Sequence, residues 1–334
     1  MTATAITAPG GPEMLAPVQM PLPPCGNGEV LIRVAAAGVN GPDLAQRRGV
    51  YDPPPGASPL LGLEVAGQIV ALGADVLGWQ LGDRVMALTN GGGYAEYVAV
   101  PAGQVLPVPA GWSLPQAAAL PETWFTVTQT LVMRSGLEAG MSVLVHGAAG
   151  GIGGAAVAIS AILGARPIGV VSSPEKAAYA EKLGAVATID RMRDDIAERA
   201  LALTEGRGVD RVVDLLGGAM SAVSIAASAR GGHIVQIATL AGSSAKISLG
   251  TLMAMQLTIS GSTLRPQTSA TKAVIAARIR ADLLPALEQP QFMRPALTTF
   301  PLAEAAEAHQ AMEQRAHAGK IVLLTAFGTG EAQL

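Results

Sequence analysis

Residues 142–163 constrain this chain more than any other stretch. A short apolar run, Ser142 to His146 (SVLVH), leads into a glycine turn, AAGGIG at 148–153, and then into an Ala-rich segment ending near Leu163. Strand, glycine turn and helix in that order let the backbone approach a pyrophosphate without Cβ interference. They also turn the free N–H groups of a helix N-terminus toward an anion. Gly150, Gly151 and Gly153 match the last part of a G-x-G-G-x-G dinucleotide loop; Ala148 holds its first position, with Gly147 beside it. A glycine-rich stretch alone is a weak signal in a chain with 40 glycines, so the surrounding rhythm decides. Strand-like Pro167–Val171, Val186–Ile189, Val209–Leu215, His233–Ala238 and Leu257–Ser262 alternate with helical 174–183, 192–204 and 219–229. That alternation predicts a doubly wound parallel sheet.

The first 118 residues read differently. Short β-type runs at 30–35, 64–72 and 95–100 are separated by the turn signals PPPGASP (53–59), GD (82–83) and NGGG (90–93), giving a mostly β domain. After residue 264 come helices near 270–284 and 303–317 and a strand, Lys320–Thr325, too little for a separate domain. The tail is expected to return and complete the first. The 334 residues therefore divide into 1–118 and 265–334 around an insert at 119–264.

At the end of the second strand of the insert, an NAD site places an acid about 20 residues beyond the glycines. Here the tip reads Val171-Ser172-Ser173-Pro174-Glu175-Lys176. Two hydroxyls and a cation suit a 2′-phosphate, which points to NADPH. Ser173 also reads as a helix N-cap and Lys176 as a solvated charge. A net charge of −3 without a basic run and only 3% aromatic residues give no footprint for nucleic acid or an anionic membrane. The run Ile152–Leu163 is too short to span a bilayer, no basic leader opens the chain, and a lone Cys25 fits a reducing compartment. A cytoplasmic protein is expected.

The chain resembles the zinc-free quinone oxidoreductases of the medium-chain dehydrogenase/reductase superfamily, nearest the tumour-suppressor-inducible quinone reductase branch, a neighbour of zeta-crystallin. The marks are AAGVNGPDLAQRRGVYDPPPGAS (36–58), LLGLEVAGQIVALG (60–73), GGGYAEYV (91–98), QAAALPETWFTV (116–127), HGAAGGIG (146–153) and GKIVL (319–323). The resemblance implies a Rossmann sheet inserted in a GroES-like, mostly β catalytic domain, a cleft between the two, and a homodimer joined through the Rossmann sheets. It implies Ala149, Gly150, Gly151, Ile152 and Gly153 at the pyrophosphate and Ser172, Ser173 and Lys176 at the 2′-phosphate. Arg191 stands where relatives carry a Tyr, and reads as a further phosphate contact or as an exposed residue. Thr126 matches a threonine that touches the nicotinamide amide, or is a helix-face hydroxyl bonded to its own backbone. Lys320 reads as a cofactor-phosphate contact from the catalytic domain or as a surface lysine.

On the acceptor side, Asn40 matches an Asn near the nicotinamide and Tyr51 a Tyr lining the acceptor pocket. Asn can position a carbonyl oxygen or the cofactor, and Tyr can donate to developing oxyanion charge. Asp43 either orients the Asn loop or caps a helix. The zinc enzymes of the superfamily carry a Cys in the loop that here reads Gly38-Val39-Asn40-Gly41-Pro42-Asp43, and a His in a Gly-His-Glu segment that here reads Gly62-Leu63-Glu64. The four histidines, 146, 233, 309 and 317, are not at ligand spacing, so no metal is expected. His146, His309 and His317 read as structural. Without a Lewis acid, quinones and activated enones are the expected small-molecule acceptors, no residue is expected to be an indispensable proton donor, and neither nucleic acid nor membrane is a partner. A reductase of enoyl thioesters and a non-catalytic NADPH-binding protein are the competing readings. A short-chain dehydrogenase is disfavoured, since Tyr179 and Lys182 lack the Tyr-x-x-x-Lys spacing.

Overall fold

The computed structural model describes residues 1–314 and 318–331. Its contacts divide the chain into two units. The first comprises Met1–Phe125, Arg265–Pro290 and Arg294–Leu334; the second comprises Thr126–Leu264 with Gln291–Met293.

The first unit opens with strands β1 (Thr2–Ile6), β2 (Leu15–Gln19), β3 (Glu29–Gly38), β4 (Glu64–Leu72), β5 (Arg84–Leu88), β6 (Tyr97–Pro101) and β7 (Val105–Pro107). The second contains β8 (Ser142–His146), β9 (Arg166–Val171), β10 (Ala187–Asp190), β11 (Val209–Asp214), β12 (Ser228–Gln236) and β13 (Thr258–Gly261). The chain then returns to the first with β14 (Leu297–Pro301) and β15 (Lys320–Leu324).

In the first unit seven strands share one sheet, ordered β14-β15-β3-β4-β5-β7, with β6 also paired to β3. Val30, Ile32, Val34, Val65, Ile69, Val85, Val98 and Val100 fill its core. The C-terminal β15 pairs antiparallel with β3, Val322 opposite Gly38. The N–H of Val39 donates to Ile321 O at 2.9 Å, which brings Lys320 to the end of β3. The tail thus completes the first sheet, as the sequence suggests. Sequence reading misses β1, β2, β5, β7 and β14, which are short and lack a sustained apolar alternation. The 41–47 stretch forms a helix, as the capping reading of Asp43 allows.

In the second unit six parallel strands run in the order β10-β9-β8-β11-β12-β13. β8 is buried at all five positions. Such a strand, covered on both faces, reads as a continuous apolar run rather than an alternating one, which is why it was legible. The helix expected from 192 begins at Ile196, because the Asp195 side chain caps it by accepting from Glu198 N at 2.9 Å. β12 begins at Ser228, earlier than the apolar pattern shows. Among the described residues no helix is long and apolar enough to cross a membrane. His317 lies outside the described residues.

Candidate functional site

The dinucleotide loop is built at the C-terminal end of β8. Gly147 takes a left-handed conformation (φ 65°), and Gly150 N donates to Gly147 O at 2.9 Å, closing the turn. The helix Gly151–Ile162 follows with Gly150 as its N-cap and no side chain capping it. Its first N–H groups have no intrahelical acceptor, so Gly151, Ile152 and Gly153 present donors to an anion. Gly153 is dictated by packing: a Cβ there would overlap the Gly147 carbonyl. Ala149 is buried beneath the turn. The first glycine of the motif, absent at Ala148, is supplied conformationally by Gly147. A pyrophosphate fits this cradle.

At the neighbouring strand ends, Asp190 of β10 pairs with Val171 of β9, and Arg191 N donates to Val171 O at 3.0 Å. Arg191, exposed, therefore sits beside Ser172 and Ser173. Ser173 is the N-cap of the helix Pro174–Lys182, its hydroxyl accepting from Lys176 N at 3.4 Å. The same hydroxyl hydrogen-bonds the exposed Glu175 carboxyl and holds it below the usual carboxylate range. The cap reading of Ser173 is thus realised in the fold. The Asp190 carboxylate accepts from Met192 N at 3.0 Å and lies 3.7 Å from Arg193 Nε.

Thr126 is buried on the helix Pro121–Val127. Its carbonyl accepts from the Thr130 hydroxyl at 2.7 Å, and among the described residues its own hydroxyl has no partner. His146 is fully buried, with Nε2 3.1 Å from Ser224 Oγ, which donates to Asp214 Oδ2 at 3.0 Å. Burial lowers its pKa, partly offset by Asp214. His309 lies between Arg47 Nη1 at 3.1 Å and the Tyr94 hydroxyl at 3.0 Å. Burial and the adjacent Arg47 push it down to about 3, so it stays neutral. Both are structural histidines.

In the first unit, Asn40 is the N-cap of the helix Gly41–Arg47. Asp43 does what either reading allowed: its carboxyl accepts from Asn40 N at 2.8 Å and from Gly62 N at 2.9 Å, tying the Asn loop to the segment before β4. Burial raises Asp43 to about 6, against those two N–H groups. The Asn40 side chain is committed. Nδ2 donates to Glu64 Oε1 at 2.9 Å and to Gly38 O at 3.4 Å, while Oδ1 accepts from Lys320 Nζ at 2.6 Å. Donation from Asn40 to an acceptor carbonyl is therefore closed unless the Glu64 contact breaks; one lone pair on Oδ1 remains.

Lys320 is neither a surface lysine nor, in this arrangement, a phosphate contact. It is 5% exposed, and its ammonium lies 2.5 Å from Glu64 Oε1 as well as on Asn40. β15 and β4 both begin at this end of the sheet, which is what joins the two charges. Gly38 makes room for Glu64, since a Cβ there would overlap the carboxylate. Glu64 Oε2 accepts from Glu122 N at 2.8 Å.

Beside this network, the Arg265 guanidinium carbon lies 5.6 Å from the Tyr51 ring centroid. Arg265 Nη2 and Nε donate to Asn90 O at 2.8 and 3.2 Å, whereas Nη1 is buried without a partner. Lys272 donates to the Asn90 side chain and, at 2.9 Å, to Arg265 O. Burial lowers Lys272 to about 8, countered by Glu122. Tyr51 is half-buried, and burial and Glu122 push its hydroxyl up. Sequence reasoning missed Glu64, Glu122, Arg265 and Lys272 as site members. Glu64 was visible only as the last residue of Gly62-Leu63-Glu64, where Leu63 replaces a zinc-ligand histidine; Lys272 had no local signal at all. Among the described residues no three His, Cys, Asp or Glu side chains are grouped as metal ligands.

Residues 26–110 match the Alcohol dehydrogenase GroES-like domain family, and residues 151–278 match the family described as Zinc-binding dehydrogenase. A quinone oxidoreductase of Pseudomonas aeruginosa is 34% identical over 317 residues, covering 94% of this chain and 97% of that protein. The Escherichia coli quinone oxidoreductase, solved in complex with NADPH, superposes with a TM-score of 0.83 at 28% identity, covering 97% of this chain and 100% of that one. The CurK enoyl reductase gives a TM-score of 0.83 at 27% identity, covering 97% and 99%. The fold is that of a medium-chain dehydrogenase/reductase, a Rossmann sheet with a GroES-like unit. Within that superfamily, the chain belongs to the quinone oxidoreductase family.

Proposed function

We propose that this protein is an NADPH-dependent, zinc-independent reductase that passes a hydride to quinones. The observation that carries the cofactor preference is the strand-end group beside the glycine turn. Arg191 is fixed next to Ser172 by its backbone bond to Val171, Lys176 lies on the adjoining helix turn, and β9 is followed by serines rather than an acid. Ser172, Lys176 and Arg191 would hold the 2′-phosphate. Ser173 would join when its hydroxyl leaves the exposed Glu175. Gly151, Ile152 and Gly153 would hold the pyrophosphate, with Ala149 and Gly150 shaping the turn. Thr126, its hydroxyl unpartnered, would meet the nicotinamide amide.

NADPH supplies the hydride. The chain's own residues orient the acceptor and meet the charge that develops on its oxygen. Tyr51 would donate a hydrogen bond to that oxygen. Asn40, locked by Glu64 and Lys320, would orient its neighbours through its remaining lone pair rather than polarise a carbonyl. Lys320 thereby acts as a positioning residue for Asn40. The zinc-independent reading rests on Asn40 and Leu63 standing at the two ligand positions. A homodimer through the second unit is part of the same reading. β13 is the outer strand of its sheet, and exposed Ile259, Leu249 and Met253 lie on or near it.

Reduction of α,β-unsaturated carbonyls or enoyl thioesters is the second reading, favoured by the likeness to an enoyl reductase. Following NADPH and NADH consumption by the purified protein against a panel of quinones and enones tests both. Quinone turnover with NADPH preferred is the expected result. Turnover of enones alone would overturn the quinone assignment, and NADPH binding without any turnover would favour a non-catalytic role.

A further inference from the structure

Three polar groups of the first unit lack a hydrogen-bond partner among the described residues: the Tyr51 hydroxyl, the Glu122 carboxyl and Arg265 Nη1. They come from three separate stretches of chain within the first unit. The guanidinium lies over the Tyr51 ring, and the charges acting on Tyr51 are those of Glu122 and Arg265. An unpaired buried N–H is costly, so Arg265 Nη1, with Tyr51 and Glu122 among its charge neighbours, reads as a place prepared for a polar atom of a ligand. Glu122 is the member able to give up a proton near neutrality. Its backbone is fixed by the N–H bond to Glu64, while its side chain, 9% exposed, remains uncommitted.

We propose that Glu122 is the internal acid of this site, delivering its proton to the oxygen anion that hydride transfer leaves on an acceptor held by Tyr51 and Arg265. This rests on the hydride-transfer reading above. The hydride brings two electrons to the acceptor and leaves one oxygen as an anion. The Glu122 O–H bond breaks, an O–H bond forms on the acceptor, and the Glu122 carboxylate regains its proton from water. The product is the hydroquinone.

The surroundings suit that task. Burial raises Glu122 to about 8, and the carboxyls of Glu64 on β4 and Asp43 on the helix Gly41–Arg47 push in the same direction. Lys320 on β15 and Lys272 on the helix Ser269–Asp282 oppose them without winning. Tyr51, after the Gly41–Arg47 helix, and Arg265, before the Ser269–Asp282 helix, complete the charged groups around it. The carboxyl is therefore protonated at pH 7. A phenolate of pKa about 10 still takes its proton with roughly hundredfold preference. An ordinary Glu, near 4.3, would already be ionised and could not donate. Once the proton has left, the new carboxylate feels the Arg265 charge. The expectation that no side chain is committed to proton delivery gives way here to a named donor.

Glu122→Gln keeps the shape and the backbone bond to Glu64 and removes the acid. In the wild type, kcat/KM for the acceptor that is turned over should fall tenfold per pH unit above about 8. In E122Q, kcat/KM at pH 7 should fall about tenfold or more, the high-pH decline should vanish, and NADPH affinity should be unchanged. A variant with wild-type rate, or one that keeps the decline, overturns the proposal. Infrared spectroscopy of the acceptor-free protein gives an answer independent of turnover. A protonated-carboxyl band at pH 7 should be lost above pH 8 and be absent in E122Q, and no such band would overturn the assignment. Failure of the wild type to reduce any quinone or enone refutes the hydride-transfer reading, whereas the E122Q comparison refutes Glu122 alone.

Discussion

Replacing Lys320 with Met tests the buried network that fixes Asn40. The ammonium is 6% exposed and lies 2.5 Å from Glu64 Oε1, and Glu64 itself is 0% exposed. Met fills the volume of the stem but removes the charge. Glu64 is then left in the interior with only Asn40 Nδ2 and Glu122 N as donors. Removing one partner of a buried pair costs about 3–5 kcal/mol, because the other charge stays uncompensated. For a unit of this size each kcal/mol moves the midpoint by about 2–4 °C, so K320M should lose about 6–20 °C. Trp79, Trp112 and Trp124 all belong to the first unit, so tryptophan fluorescence follows the unfolding of that unit. A second substitution supplies the control. In K320M combined with Glu64→Gln, no charge is left unpaired, and most of the loss should be recovered, leaving a deficit of about 1–2 kcal/mol from weaker hydrogen bonds. A K320M protein as stable as wild type, or a double variant less stable than K320M, would show that the pair is not what holds this end of the sheet.

Lys176→Ala should weaken NADPH by about 1–3 kcal/mol while leaving NADH nearly unchanged, measured by fluorescence titration; equal losses for both cofactors would remove Lys176 from the 2′-phosphate. Tyr51→Phe should remain folded and bind NADPH, with kcat/KM for quinone about tenfold lower, on the order of 1.4 kcal/mol; unchanged kinetics would place the acceptor elsewhere. Asn40→Ala should lower turnover similarly and also destabilise the first unit, since it strips a hydrogen bond from both Glu64 and Lys320. Treatment with a chelator should leave turnover intact and elemental analysis should find no stoichiometric zinc; a chelated enzyme restored by zinc would contradict the reading of Asn40 and Leu63.

The second unit was legible because its information is local. Continuous apolar strands, glycines at a turn and an N-cap serine each announce themselves within a few residues, and β8 and the turn after it stand where the pattern puts them. The acceptor side was not legible for the opposite reason. Asn40 meets Lys320 across 280 positions, and Asn90 meets Arg265 and Lys272 across 175 and 182. No spacing rule reaches that far; only the pairing of β15 with β3 brings Lys320 home. A lysine after a glycine at the start of a strand carries no mark of burial, so both readings that the sequence offered for Lys320 assumed an accessible charge. Glu64 was read only as the neighbour of the missing ligand at Leu63. Its positive role depends on a partner from the far end of the chain.

Glu64 and Glu122 show how one backbone bond can join two carboxyls with opposite work. Glu122 N donates to Glu64 Oε2, so the two residues share a neighbourhood and a field. Glu64 has an ammonium at 2.5 Å and donors on both oxygens. A carboxylate so compensated holds a loop in place and contributes a fixed negative charge. Glu122 receives no hydrogen bond among the described residues, and the charge on Glu64 is one of the causes that push it up to about 8. The ion pair is therefore not only a structural fastening. The negative charge of Glu64 helps raise Glu122, and two carboxyls whose environments differ in this way are the usual mark of a divided acid–base role. The Lys320 pair that orders Asn40 and the proton held on Glu122 are then one electrostatic arrangement. A substitution that neutralises Glu64 should accordingly shift the high-pH decline of kcat/KM downward, although Glu64 meets the acceptor nowhere in this arrangement.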